Sequence, residues 1–203
     1  MSGSSIGERK RALRVAALTQ RGSLAREPFF SLGGLIQARA LEFAPYLTAR
    51  AVILYSPIQN EVTTEEIRDD ALASGKRVFY PQLSAAKSVA VAEIHSAADL
   101  GSGCFGISEP TGSMHPLTRE LEKLVVFVPG LIFDCHGNRL GRGIGWYDRL
   151  LKQLSKGAVF VALGYDFQIV DEVPTDTWDE RVHYVITEQR VIDCGTARSI
   201  AVS

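Results

Sequence analysis

Residues 129–149 read PGLIFDCHGNRLGRGIGWYDR, and the arrangement of this stretch decides the fold. It follows an apolar run, Leu124 to Val128, of the length and composition of a buried strand, which Pro129 and Gly130 end. Gly141, Gly143 and Gly145 then alternate with other residues, and a helical pattern starts directly after them at Trp146. Strand, glycine loop and helix start in this order suit an anion. Glycines let the backbone approach it and turn N–H groups toward it. The helix start adds free N–H donors and the positive end of the helix dipole. Arg139, Arg142 and Arg149 bracket the loop with positive charge. The spacing matches neither the dinucleotide fingerprint nor the P-loop. The chemistry is that of a polyphosphate site, with a nucleotide as the expected ligand.

Outward from this loop, apolar strands alternate with helical segments. A first helix is expected from about Glu8 to Thr19, with Leu13, Val15, Ala16 and Leu18 partly buried. Glu27 to Tyr46 reads as a second helical region loosened by Gly33 and Gly34. Strands are expected at 51–55, 76–80 (stopped by Pro81), 124–128 and 158–164, with an edge or hairpin strand at 89–94 and short closing strands at 184–187 and 191–193. Helices are expected at 64–74, with Thr63 or Thr64 as N-cap, and at 146–154. Gly101 to Pro116 reads as loop. The pattern is that of an α/β fold on a largely parallel sheet, built as a single domain over 1–203 with residues 1–6 disordered. Ligands are expected at the carboxyl ends of the strands.

Composition narrows the function classes. With 22 Lys and Arg against 23 Asp and Glu, the net charge is −1, which supplies no field for nucleic acid or an anionic membrane surface. No apolar run reaches the length of a membrane span. Cys104, Cys135 and Cys194 are widely separated and form no C-x-x-C pair, so neither a zinc site nor a redox pair is indicated. Cys135 is expected to be a buried bystander, and His136 a turn residue. Residues 9–26 hold six basic residues and no acid, a composition shared by organellar transit peptides and by amphipathic helices. A cytoplasmic location is expected, with organellar import left open. On a helix, Lys10 and Arg14 stand four apart and can clamp one anion.

RLGRGIGWYDR, preceded by VPGLIFD and HGN, resembles the signature of the 5-formyltetrahydrofolate cyclo-ligase (5,10-methenyltetrahydrofolate synthetase) family. Other segments agree in order: KRALR at 10–14, SPIQNEVTTEEI at 56–67, GKRVFYP at 75–81, FGISEP at 105–110, and VALGYDFQIVDEVP followed by Trp178 and Asp179. The resemblance spans about residues 7–193. It implies the three-layer αβα fold, with a largely parallel sheet, similar to that of the sugar-phosphate isomerases and coenzyme A transferases. It also implies ATP-dependent cyclisation of 5-formyltetrahydrofolate to 5,10-methenyltetrahydrofolate, with ATP and Mg2+ as cofactors. A monomer is expected.

By that resemblance, Lys10 and Arg14 hold phosphate from one side and Arg139, Leu140, Gly141, Arg142, Gly143, Ile144, Gly145, Trp146 and Tyr147 from the other. Asp148, a carboxylate where an anion site has no use for one, is assigned to magnesium. Asp179, five residues after Pro174, matches a second metal-site aspartate. Glu61 is assigned to the pterin or formyl region, Ile58 to the pocket lining, and Trp146 to stacking the pteridine. Glu61, Tyr147 and Arg142 are the catalytic candidates. Trp146 stands where members often carry tyrosine or phenylalanine, Thr63 where they often carry a second acid, and His183 where an aspartate is common. Two rivals remain at this stage: a nucleotide-binding paralogue without folate turnover, and a sugar-phosphate isomerase-like enzyme.

Overall fold

A computed structural model describes residues 5–82, 89–103, 107–112, 121–154 and 157–195. The chain opens with helices α1 (Ile6–Gly22), α2 (Arg26–Leu41) and α3 (Ala44–Leu47). Strand β1 (Ala51–Ile53), helix α4 (Glu65–Ala73) and strands β2 (Arg77–Gln82) and β3 (Ala90–Ile94) follow. Next come β4 (Leu100–Ser102), β5 (Ser108–Pro110), β6 (Leu124–Val128), β7 (Ile132–Phe133) and β8 (Arg139–Leu140). Helix α5 (Trp146–Leu154), then β9 (Ala158–Leu163), β10 (Tyr184–Ile186) and β11 (Val191–Asp193), complete the described chain.

Seven strands form the central sheet in the order β11-β10-β9-β6-β1-β2-β3. β2, β1, β6, β9 and β10 run parallel, and only the edge strands β3 and β11 are antiparallel. Both faces are covered, as a parallel sheet requires. In β6, Val125 and Phe127 face a core shared with Ile36 and Ala40 of α2 and Ile67 and Ala71 of α4. Leu124, Val126 and Val128 face the other way, toward Trp146, Leu150, Leu151 and Leu154 of α5. Full burial of each large apolar side chain here contributes about 1.5–3 kcal/mol. The expected α/β architecture with a largely parallel sheet is the one observed.

Several local expectations are corrected. Ser5 and Ile6 are not disordered: Ser5 caps α1 through a reciprocal box with Glu8, and Ile6 begins the helix. Residues 1–4 lie outside the described residues. The buried stripe of α1 is Lys10, Ala17 and Arg21, while Val15 and Ala16 are exposed. The Gly33-Gly34 pair does not interrupt α2, and the break comes instead between Leu41 and Ala44, with Pro45 in the first turn of α3. β2 continues through Pro81, paired with Val91 of β3. Its pairing to β1 ends at Phe79, so beyond that point it is an edge on that side and needs no donor from proline. Within the expected loop 101–116, residues 100–102 and 108–110 pair as a small antiparallel hairpin. Cys104 and residues 113–116 lie outside the described residues. Cys135 is exposed rather than buried.

Thr64 takes the N-cap position of α4, yet its hydroxyl donates to the Tyr55 carbonyl at 2.9 Å. The helix start is served by Gln37 of α2 instead, whose Oε1 accepts from the Glu66 N–H at 2.9 Å.

The hairpin β7–β8 ahead of the glycine loop is organised by Asp134, which is fully buried. Its Oδ1 accepts from the His136 and Asn138 backbone N–H groups, and its Oδ2 from Asn138 Nδ2 at 2.8 Å and the Val173 N–H at 3.0 Å. Leaving such donors unpaired in the interior costs about 1–3 kcal/mol each. Asp134→Ala is therefore expected to lower stability by about 3 kcal/mol or more. Urea unfolding with an unchanged slope and a reduced midpoint checks this; a midpoint within error of wild type contradicts it.

Candidate functional site

After β1 the chain leaves toward β2, and after β6 it leaves toward β9 on the opposite side. A crevice therefore opens at the carboxyl ends of β1 and β6, where the winding reverses. The loop after β1 carries Ile58 and Glu61. The loop after β6, through the β7–β8 hairpin, carries the glycines. α1 lies along the same end, with Ala17, Leu13 and Leu18 packed against Leu131, Ile132 and Leu140.

The glycine loop has the backbone expected of it. Gly143 has φ +95° and Gly145 φ +67°, a region in which side chains are strained. The Arg14 guanidinium packs beneath Gly143, where a Cβ would lie 3.3 Å from its central carbon. Arg14 Nε donates to the Gly141 carbonyl at 2.9 Å. Arg149 closes the other end, with Nη1 donating to the Ile144 carbonyl at 3.1 Å. The first intrahelical bond of α5 runs from the Arg149 N–H to Gly145. The N–H groups of 146–148 precede it and have no helix carbonyl to meet.

Arg139 and Leu140 stand in β8 rather than in the loop. Leu140 is a core residue, and its carbonyl accepts from the Leu131 N–H. The buried Arg139 donates to Asp148 Oδ1 at 2.7 Å, and its guanidinium lies 6.0 Å from the Tyr147 ring centre. Burial pulls the Arg139 pKa down, and the Asp148 carboxylate opposes that pull. Asp148 Oδ1 also accepts from the Glu180 N–H at 3.2 Å. Lys10, the other half of the expected clamp, meets Asp176 at 2.7 Å and also Asp179. Burial lowers the Lys10 pKa, but its bonds to Asp176 and Asp179 outweigh that and raise it, so it is a firmly charged ammonium. Asp179 Oδ2 further accepts from the Asp176 N–H.

Glu61 is buried, at 7% exposure, beneath the loops. Its Oε1 lies 3.4 Å from Arg21 Nη2 and 3.5 Å from Arg142 Nε. Its Oε2 accepts from the Ile58 N–H at 3.2 Å. Burial raises the Glu61 pKa, and the two guanidiniums pull it back. Arg142 also donates to the Gln59 side chain at 2.8 Å, so the glycine loop is joined to the β1 loop. Tyr147 is half-buried; burial pushes its hydroxyl above the usual range, with Glu61 adding to the rise and Arg139 opposing it. It is a hydrogen-bond donor at neutral pH.

Trp146 is corrected. The indole is 7% exposed and packed in the core beneath the sheet, edge-on to Tyr147 at 5.0 Å. It supports Tyr147 and presents no open face for stacking. Its Nε1 has no hydrogen-bond partner among the described residues. Thr63 accepts from Gln37 Nε2 at 2.9 Å, and the His183 Nδ1 accepts from the Phe160 N–H at 2.9 Å, so each has a structural use here.

Three participants escaped the sequence reading: Arg21, Gln59 and Asp176. Arg21 follows Lys10, Arg14 and Ala17 at spacings of four, three and four, one stripe of a helix, and that signal was available. Gln59 and Asp176 carry no such mark. Among the described residues, no group of three or more His, Cys, Asp and Glu side chains converges to hold a metal unaided. Asp148 and Asp179 supply oxygen donors only, which suits a hard cation held partly by phosphate.

The profile of the 5-formyltetrahydrofolate cyclo-ligase family matches residues 6–188. The Mus musculus 5-formyltetrahydrofolate cyclo-ligase is 28% identical over 93% of this chain and 98% of its own. The Escherichia coli K12 cyclo-ligase is 26% identical over 85% of this chain and 96% of its own. The solution structure of the Aquifex aeolicus 5,10-methenyltetrahydrofolate synthetase superposes with a TM-score of 0.78 at 33% identity, covering 91% of this chain and 92% of that one. The Mycoplasma pneumoniae synthetase, at 23% identity and a TM-score of 0.71, shares the fold. With the profile matched from Ile6 through β10, the chain belongs to the 5-formyltetrahydrofolate cyclo-ligase family.

Proposed function

We propose that this chain catalyses the ATP-dependent cyclisation of 5-formyltetrahydrofolate to 5,10-methenyltetrahydrofolate, releasing ADP and phosphate. The observation that carries the reading is the meeting of the Glu61 loop and the glycine loop in one cleft, joined by Arg142 at 3.5 Å from Glu61. A phosphate donor and a folate held on two adjacent loops are within reach of one another, and such a reaction is mostly positioning and charge neutralisation.

The formyl oxygen attacks the terminal phosphorus of ATP, and the bond to the ADP oxygen breaks. The neighbouring folate nitrogen then adds to the activated formyl carbon and loses its proton. Phosphate departs with the former formyl oxygen. In this reading the backbone N–H groups of 141–147, with Arg14 and Arg142, bind the triphosphate. Glu61, as a carboxylate, accepts from the pterin N–H groups, with Ile58 beside them. The Tyr147 hydroxyl stays protonated and donates to substrate oxygen. Lys10 and Arg139 hold Asp179 and Asp148 in place. Those two aspartates would hold magnesium, which supplies neutralisation of phosphate charge.

Mixing the protein with magnesium-ATP and 5-formyltetrahydrofolate is expected to raise the near-ultraviolet absorbance of the methenyl product, and only when nucleotide and divalent metal are both present. Protein that is folded by circular dichroism and binds ATP, but forms no product at high concentration, would sink the activity and point to a binding-only paralogue.

Arg14→Ala removes both the bond to Gly141 and the charge beneath the loop. The apparent Michaelis constant for ATP is expected to rise about tenfold or more, as for a lost charge-assisted contact of roughly 1.5–3 kcal/mol. An unchanged ATP dependence rules out that role.

Asp148→Asn keeps size and removes charge. Turnover is expected to fall by about two orders of magnitude or more, with the deficit deepest at limiting magnesium. A loss of stability with normal turnover per folded molecule would instead confine Asp148 to its pairing with Arg139.

A further inference from the structure

We propose that Arg21 is a positioning residue for the folate side of the cleft: from α1 it seats the 58–61 loop and fixes the Glu61 carboxylate. The proposal rests on the reading of Glu61 as the pterin-binding acid. Arg21 is 1% exposed and spends each arm of its guanidinium on a different wall of the site. Nε donates to the Gln59 carbonyl at 3.0 Å, Nη1 to the Gly130 carbonyl at 3.0 Å, and Nη2 meets Glu61 at 3.4 Å. One planar cation thus ties the loop after β1 to the loop after β6. Only arginine offers this fork of donors; lysine supplies one charged point.

The loop it grips is one that needs gripping. Gln59 and Asn60 both lie in the left-handed region, at φ 47° and 59°. That conformation is uncommon for a side chain such as glutamine and persists where the surroundings impose it. Asn60 is tied to the same helix end, with Nδ2 donating to the Arg21 carbonyl at 3.2 Å and lying 3.5 Å from that of Leu24. Backbone and side chain of Arg21 therefore hold two consecutive strained residues directly before Glu61.

The electrostatics point the same way. Glu61 is faced by Arg21 from α1, by Arg142 from the glycine loop, by Tyr55 at the end of β1 and by Tyr147 from α5. Both tyrosines are pushed upward by burial and carry no charge at neutral pH. The two guanidiniums, with the Ile58 N–H, thus oppose the burial penalty on the Glu61 carboxylate, and the guanidiniums do so most. Arg142 is exposed and shared with Gln59, whereas Arg21 is buried and fixed. A buried charge without its partner shifts its pKa and is neutralised.

The test is a set of variants in the full chain, read by steady-state kinetics against pH. Arg21→Gln is expected to raise the Michaelis constant for 5-formyltetrahydrofolate about tenfold or more, as for a lost charged contact, and to leave that for ATP within about twofold. Since the folate meets the ionised acid, affinity falls as pH drops through the Glu61 pKa. Raising that pKa moves the acid limb of kcat/KM for folate to higher pH. Arg21→Lys should return the limb toward its wild-type position while recovering only part of the affinity. If Arg21 acts through Glu61, Arg21→Gln added to Glu61→Gln costs little further folate affinity. Additive losses, or equal losses for ATP and folate, overturn the proposal. Should Arg21→Gln lose its fold by circular dichroism, Arg21→Lys carries the same comparison of folate against ATP. If wild-type protein forms no product, the activity reading fails separately. Glu61 is then titrated directly by carbon-13 NMR of glutamate-labelled protein, assigned with Glu61→Gln. An upward shift in the Arg21 variant sustains the positioning role, and no shift removes it.

Discussion

The parallel pairing of β1 with β6 is the constraint on which the rest depends. Ala51, Val52 and Ile53 stand opposite Leu124, Val125 and Val126, in the middle of the sheet and buried on both faces. These strands come from distant parts of the chain, so their pairing brings together two loops more than sixty residues apart in sequence. Because the winding reverses between them, no crossover helix covers the gap above. Glu61 enters it from one side and the glycine loop from the other. Helix α1 belongs to neither half, yet it completes the cleft by lying across the β7–β8 hairpin.

Charge inside such a cleft is costly unless each group has a partner, and the partners here come from different elements. Lys10 of α1 meets Asp176 and Asp179, Arg139 of β8 meets Asp148, and Arg21 and Arg142 share Glu61. Removing one member of such a pair leaves the other buried and uncompensated, which costs far more than the pair itself contributes. This makes the site a cross-linked network: α1, the two strand loops and the 176–180 turn are joined through side-chain charge as well as through packing.

Much of this was legible in the sequence, for physical reasons particular to each segment. Leu124 to Val128 is apolar without alternation because both faces of β6 are buried, and α5 is readable because its leucines recur at helical spacing behind a glycine loop. The positions of Gly143 and Gly145 announce left-handed backbone. Less legible were features set by tertiary partners. Pro81 reads as a strand stop unless it is known that β1 has already ended alongside β2. Trp146 reads as a ligand platform because the family resemblance places an aromatic residue there; the phase of α5 instead turns it into the core. In α1 the buried stripe holds Lys10 and Arg21 beside Ala17, and Val15 faces water, so hydrophobic periodicity alone does not reveal the basic part of the face that matters. Asp176 lies in an irregular turn, closed by its own bonds with Asp179 and tied to Lys10, far away in the chain.

The paired cations of the cleft have a consequence for what it selects. Lys10, Arg139, Arg142 and Arg21 already possess carboxylate counterions, and Arg14 is bound to a carbonyl. Those five cations face four carboxylates, Asp148, Asp176, Asp179 and Glu61, so the cleft carries only a small net positive charge before any ligand arrives. A bare tetra-anionic triphosphate entering it would meet nearly as much negative charge as positive. A triphosphate that brings its own divalent cation does not, since the cation replaces part of the charge that the aspartates withhold. On the proposed reading, discrimination then falls on the charge state of the nucleotide, and a metal-free polyphosphate is the poorer ligand for a site in which four of these five cations already face a carboxylate.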